Sequence, residues 1–451
     1  MSSPPGPRGL RLLESLLDVR GDRIRLVLQS SQTYGDLAAY RRGYRRILFL
    51  LHHPDHARHI LRDNPGNYVK GMGLAEAKAV LGEGLLTSEG ANWARQRDLA
   101  NPFFSRRQMD PYASAVAGAT ECALERWRSS VEAGRPVDVA AEATRLTLDV
   151  LGRTLLHADL SGPIADRLSA CLAIATRWAV RRATALVRLP AGFPSRSNVR
   201  FRRAVRDLEE IVGEIVEKRE QRDRTEPPDD DLLSSLLREQ DPTEGSEARR
   251  RFLGALTTFL LAGHETTAAT LAWSCHLLAL HPEAQSRVRE EACAVLQASR
   301  SSFQEVGALA YTRMVVEESL RLFPPVWMIP RRAIAADEIA GYSIPSGSDL
   351  LISVYTLHRH PAFWPEPERF DPLRFSPERA SERAPYSYLP FGTGPRSCVG
   401  SSLGLLEATL SLAIIARRYR LEPVAGERVV PEPLLTLQPK NGLRLRLVPD
   451  P

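Results

Sequence analysis

One cysteine stands among three glycines and an arginine in FGTGPRSCVG, Phe391 to Gly400. A thiol can be a nucleophile, a redox switch, a metal ligand or packing. A nucleophile needs a positioned base, and no histidine lies within 30 residues of Cys398 on either side. Packing alone has no use for Gly392, Gly394 and Gly400, which let a backbone take positive φ and let another body come close. N–H groups after the cysteine can point back at sulfur, and the next helix begins there with the positive end of its dipole. Both effects favour a thiolate. A thiolate on a flat loop, capped by Phe391 and flanked by Arg396, suits a large planar metal cofactor. A heme held by a single cysteine thiolate meets that description.

Two further pairs carry chemical groups in unusual company. In AGHETT, Ala262 to Thr267, an acid sits inside an otherwise apolar helix, a placement that is unfavourable unless the carboxyl is put to use. Thr266 beside Glu265 would ordinarily bond the carbonyl four residues back. His264 reads as a packing or surface residue. In EESLRLFPP, Glu318 and Arg321 lie one helical turn apart on one face. Alone, such a pair is a surface ion pair of small worth.

The elements that must position these groups are mostly helical. Arg45 to Arg62 reads as a strand and then a short helix after Pro54. From Trp93 to about Pro282 the pattern is helical, interrupted at Asn101-Pro102, Gly134 to Pro136, Leu189 to Ser197 and Thr225 to Asp231. Arg251 to Leu280 is apolar nearly all round, which predicts a helix through the centre of the protein. A second helix stops at Pro324-Pro325. Beyond Pro330, short β-prone pieces such as LLISVY alternate with Gly and Pro, and SSLGLLEATLSLAIIARRY after the cysteine loop reads as another buried helix. No repeat and no interdomain linker is visible. The fold class is therefore mainly α with a small β-rich portion supplied by both ends of the chain. The expectation is a single domain over 1–451, with residues 1–20 a flexible or loosely packed segment.

Composition narrows the remaining classes. Of 451 residues, 43% are hydrophobic and 25% charged, ordinary values for a folded protein with a core. No apolar run is long enough to span a bilayer. The N-terminal stretch, broken by Pro, Gly and charge, resembles neither a signal peptide nor a membrane anchor. A soluble cytoplasmic protein is expected. Five cysteines at 122, 171, 275, 293 and 398 include no CxxC pair, which excludes a disulfide framework or zinc site as the first reading. Cys122, Cys171, Cys275 and Cys293 read as small core or semi-buried residues. Lysine stands only at 70, 78, 218 and 440 among 60 basic residues, a usage that hints at a GC-rich bacterial genome. The net charge of +6 is scattered without aromatic interleaving, so nucleic acid is not an expected partner.

FGTGPRSCVG resembles the heme-binding loop FxxGxRxCxG of the cytochrome P450 family at every fixed position. EESLRLFPP resembles the family's ExxR helix, and PERFDPLRF its arginine-bearing meander. Arg374 is then expected to complete a structural network with Glu318 and Arg321. ANWARQR resembles the WxxxR segment, with Trp93 and Arg97 turned to a heme propionate, and AGHETT the oxygen-activating stretch of the long central helix. The likeness covers roughly Leu48 to the C-terminus. It implies the cytochrome P450 fold and heme b with Cys398 as axial ligand. Phe391, Gly392 and Ala262 are implied to lie against the heme, and Lys70, Arg97, Arg331 and Arg396 to meet the propionates. Arg331 is preferred to its neighbour Arg332. It implies Glu265 and Thr266 as the proton-relaying pair and a pocket lined by Leu86, Val326, Trp327, Met328 and Thr436, apolar enough for a bulky hydrophobic substrate.

The activity implied is NAD(P)H-driven monooxygenation with O2: hydroxylation or epoxidation of a hydrophobic small molecule in bacterial secondary metabolism, antibiotic biosynthesis included. Alternatives are oxidative C–N, C–C or ring formation, and a non-catalytic heme sensor or carrier, which would not need the Glu265–Thr266 pair. No fused redox module is expected, and a ferredoxin or flavodoxin and its NAD(P)H reductase are the expected partners of a monomer. Arg95, Arg106, Arg107 and Arg128 are expected on the face that such a partner meets.

Overall fold

The central helix spans Ser246–Leu280, 35 residues and about 50 Å at 1.5 Å per residue. The structure, a computed structural model, describes residues 4–7, 21–42, 46–185, 190, 192–227, 229–239, 245–296 and 302–449. Against the central helix pack the helices Val139–Leu151, Ala310–Leu322 and Ser401–Arg418, with Met109–Glu132 packed outside on the first and last of these, and their inward Leu, Val, Ala and Ile side chains form one continuous core. Two threonines buried in this core have partners: Thr120 meets Ser411 at 3.0 Å, and Thr147 donates to the carbonyl of His264 at 3.2 Å. Such pairing removes the penalty for burying them. Trp273 of the central helix stacks on Phe323 with 4.1 Å between centroids and donates its indole N–H to the Leu437 carbonyl. This joins the central helix to the end of the 310–322 helix and to the C-terminal hairpin Pro431–Pro433/Leu437–Pro439.

A five-stranded sheet unites the two ends of the chain. Its order is Leu37–Arg42, Arg46–Leu51, Asp349–Ser353, Met328–Ala333, Tyr68–Lys70, parallel only between Arg46–Leu51 and Asp349–Ser353. Of the N-terminal twenty residues, 4–7 lie against the first strand, with the Pro5 carbonyl accepting from Ala39 N–H at 2.8 Å. Apart from these four, residues 1–20 lie outside the described residues. Strand alternation buries Ile329, Arg331 and Ala333 while Met328, Pro330 and Arg332 are only half-buried.

Cys171 and Cys275 are buried as expected, but Cys122 and Cys293 are exposed. Their neighbours Ala123 and Ala292 take the inward positions. Each cysteine therefore falls on the solvent side of its helix, and apolar periodicity alone misplaces a residue one position off the stripe.

Candidate active site

The cysteine loop owes its shape to two left-handed glycines, Gly392 at φ 67° and Gly394 at φ 73°. A Cβ on Gly394 would stand 1.9 Å from the Leu61 carbonyl oxygen, so the loop can press against the turn His59–Asp63 only because that side chain is missing. The Cys398 N–H donates to Phe391 O at 2.9 Å, closing the loop. Helix Ser401–Arg418 begins three residues beyond Cys398. Burial pushes the Cys398 thiol up, while the Gly400 N–H and the charge of Arg97 pull the other way. Although deep in the molecule, Cys398 is open to a cavity of about 550 Å³.

Four cations stand at one edge of that cavity: Lys70, Arg97, Arg331 and Arg396. Arg97 donates to the Ser397 carbonyl at 2.6 Å, and so is tied to the loop that carries the cysteine. Arg396 lies flat over Trp93, 3.9 Å from the ring centroid, donates to Ser88 O at 3.0 Å and pairs with Glu89. Arg331 sits across from Lys70 in the sheet. Arg332, on the opposite strand face, is taken up by Asp349 at 2.8 Å. Burial first, then repulsion from Arg331 and Arg396, lowers Lys70 to about 7. Glu89 opposes these effects on Lys70, Arg331 and Arg396. Its carboxylate also accepts the Lys70 backbone N–H at 2.6 Å. One acid among four cations leaves an uncompensated positive charge that anionic groups such as carboxylates would relieve. Sequence reading missed Glu89, which stands at the N-cap position of the helix Gly90–Ala100 without capping it through its side chain, and nothing local marks it.

Thr266 and Glu265 line the same cavity from the central helix. Thr266 Oγ1 donates to Ala262 O at 2.8 Å, the ordinary i−4 bond. Glu265 turns toward the C-terminal hairpin, where Gln438 Nε2 donates to Oε1 at 2.6 Å, and Oε2 is buried with no partner among the described residues. Burial raises its carboxyl to about 7, while the neighbouring Thr436 hydroxyl and Gln438 amide pull the other way. Thr436 thus serves the acid as well as the cavity wall, since Gln438 also donates to its hydroxyl at 3.0 Å. Nothing local marks Gln438 in the sequence. His264 is buried, its Nδ1 2.5 Å from Leu260 O, and it points away from the cavity. Leu86, Ala262, Val326, Trp327, Met328, Phe391 and Gly392 all open onto the cavity. Trp327 is nearly buried, with its N–H on Leu434 O at 3.0 Å.

Below the site, Glu318 and Arg321 are fully buried, with bonds of 2.6 and 2.8 Å between them, and Arg374 completes the group 3.5 Å from Glu318. The three remaining bonds of Arg321 run to the carbonyls of His358, Pro367 and Arg369. All five guanidinium N–H groups are therefore used. The group fastens the segment 358–374, which leads into the cysteine loop.

Of the four arginines expected to greet a partner protein, Arg95 and Arg128 are engaged elsewhere. Glu239 holds Arg95 at 3.1 Å and Glu125 holds Arg128 at 2.8 Å. Arg106 and Arg107 are exposed, with no ion pair among the described residues.

The cytochrome P450 family model matches residues 4–445, and the chain belongs to that family: it is a cytochrome P450 monooxygenase. It is 36% identical over 425 residues to cyclooctatin synthase of Streptomyces melanosporofaciens, covering 94% of this chain and 90% of that protein. It is 38% identical over 400 residues to cyclooctat-9-en-7-ol 5-monooxygenase of the same organism, covering 88% and 85%. Identity to pentalenene oxygenase of Streptomyces avermitilis is 30% over 423 residues, covering 93% and 92%. The family implies heme with cysteine-thiolate ligation of its iron, and its members generally use redox partners and oxygen. Among the described residues no helix is long and apolar enough to cross a membrane.

Proposed function

We propose that Cys398 is the axial thiolate of a bound heme b and that the enzyme hydroxylates or epoxidises a cyclic, largely apolar molecule of terpenoid type. The observation that carries this reading is the single cavity onto which Cys398, the four cations and the Glu265–Thr266 pair all open. The residues fit the cofactor. Arg97, Arg331, Arg396 and Lys70 supply charge for two propionates, Trp93 packs beneath Arg396, and Phe391 and Gly392 leave a flat floor beside the thiol. When bound, heme supplies one-electron chemistry and the activation of O2, with electron density pushed from the thiolate.

The chain's own part is binding and proton movement. Glu265 Oε1 is held by Gln438, so Oε2 is the oxygen that can carry the mobile proton. Thr266 Oγ1 spends its hydrogen on Ala262 O and keeps lone pairs free to accept. For a proton from Glu265 to pass through the threonine, the hydroxyl leaves Ala262 O, accepts that proton on a lone pair and releases its own hydrogen into the cavity. The substrate class rests on the apolar wall and on the names of the similar Streptomyces enzymes. Electrons come from a separate ferredoxin and its reductase. The protein acts as one cytoplasmic domain.

The test is spectroscopic. The reduced carbon monoxide complex of the wild type should show the red-shifted Soret band that gives the family its name, and Cys398→Ser should lose it. A variant that keeps the band would rule out Cys398 as ligand.

A further inference from the structure

The cavity reaches from the cysteine loop to the N-terminal helix Arg23–Tyr34, and its charged walls are unevenly explained. Lys70, Arg97, Arg331 and Arg396 answer the cofactor, and Glu265 and Glu407 belong to the long helices beside it. One charged side chain is left, Arg23, at the first position of the N-terminal helix. It lies at the end lined by Leu26, Val27, Leu48 and Leu50, 5.7 Å from the Trp327 ring centroid.

Arg23 has no hydrogen-bond or ion-pair partner for its side chain among the described residues. The acid that reaches it electrostatically is Glu432. Both oxygens of Glu432 are already held by Arg177, at 3.1 Å each. Burial lowers Arg23 to about 10, with Glu432 opposing, and the group remains cationic at neutral pH. A guanidinium with five donors, partly withdrawn from water against apolar walls, is an unfavourable arrangement until an acceptor arrives.

We propose that Arg23 recognises a carboxylate on the substrate, at the end of the molecule away from the carbon that reacts, so that the substrate is an already oxidised hydrocarbon acid and not a bare hydrocarbon. This rests on the monooxygenase reading above and narrows its substrate. The planar fork of Arg23 matches a carboxylate in two-point contact. The apolar walls between Arg23 and Thr266 then hold the hydrocarbon body, and the length of that body selects the position oxidised. Acids too short to span the two ends lose either the head contact or the approach to the reacting centre.

The test uses the heme-loaded enzyme and the optical spin-state shift on binding. Three probes share one tricyclic skeleton: abietic acid, its alcohol abietinol and its hydrocarbon abietadiene. The acid should bind about tenfold to a hundredfold more tightly than the hydrocarbon, the range of one charge-assisted hydrogen bond. Arg23→Leu should abolish that preference and leave hydrocarbon binding unchanged, and Arg23→Lys should keep part of it. Failure of the acid to bind, equal affinity for all three probes, or an equal loss for all three in Arg23→Leu would each overturn the proposal. So would an alcohol that binds as tightly as the acid. The red-shifted band of the carbon monoxide complex, recorded on the same samples, reports separately on the heme-thiolate reading.

Discussion

Glu265 is buried, Gln438 donates to its Oε1, and Oε2 has no hydrogen-bond partner among the described residues, which makes it sensitive to pH near neutrality. Its carboxyl, raised to about 7, holds its proton below that pH and loses it above. The fraction able to donate a proton therefore falls as pH rises through about 7. Product formed per NAD(P)H consumed should decline over the same interval, with the electrons lost as hydrogen peroxide. In Glu265→Gln the inflection should vanish and the yield stay low throughout. Gln438 donates to the carboxylate and so favours its ionised form. Gln438→Leu should raise the carboxyl further and move the inflection to higher pH. An unmoved inflection in Gln438→Leu would assign the titration to another group. The measurement is coupling against pH with peroxide assayed in parallel.

Helices and loops meet at Glu318, Arg321 and Arg374. Helix Ala310–Leu322 ends at Phe323, and the stretch from His358 to the cysteine loop contains only the short helical turns Pro372–Phe375 and Pro377–Ser381. Arg321 substitutes for regular structure there by bonding three carbonyls of the 358–369 segment while paired to Glu318. Removing one member of a fully buried pair leaves the other charge uncompensated, at a cost of roughly 3–5 kcal/mol. Arg321→Ala should lower the urea midpoint accordingly and impair heme retention. Arg321→Lys keeps the charge but offers a differently shaped donor set, so it should remain defective. Recovery in the lysine variant would show that charge alone matters and that the three carbonyl bonds do not.

At the scale of the whole molecule, the thiolate side of the cavity must lie near a surface that an electron donor can reach. Phe104 lines the cavity, and its ring is 3.3 Å from where a Cβ on Gly400 would be. The chain then turns out through Arg106–Gln108, where Arg106 and Arg107 are exposed two and three residues after Phe104. Of the four arginines considered, these two and not Arg95 or Arg128 are without an ion pair among the described residues, and on the partner proposed above they would steer an acidic ferredoxin. Steering between exposed charges weakens with salt, since the Debye length shrinks from roughly 10 Å at 0.1 M to about 3 Å at 1 M. Reversing both arginines to glutamate should slow ferredoxin-supported reduction severalfold at low salt and leave substrate affinity alone. Stopped-flow reduction rates that ignore both the reversal and the salt would point instead to an apolar docking surface.

The parts of this protein written in contiguous residues were legible without coordinates. The cysteine loop, the Glu265–Thr266 pair and the Glu318–Arg321 turn each place their groups within a few positions, where helix and loop geometry alone decides what faces what. Strand alternation separates Arg331 from Arg332 for the same reason, once the strand is granted. Packing decided matters of a different kind. Gln438 meets Glu265 across 173 positions, Glu89 reaches Arg396 across 307, and Arg23 arrives at the far wall of the cavity from the opposite end of the chain. Glu89 went unmarked in the sequence and Cys122 read as core or semi-buried, because a local pattern records which face a residue occupies and not which distant segment lies against that face. Those partners were settled only when the sheet brought the two ends of the chain together and the C-terminal hairpin closed over the central helix.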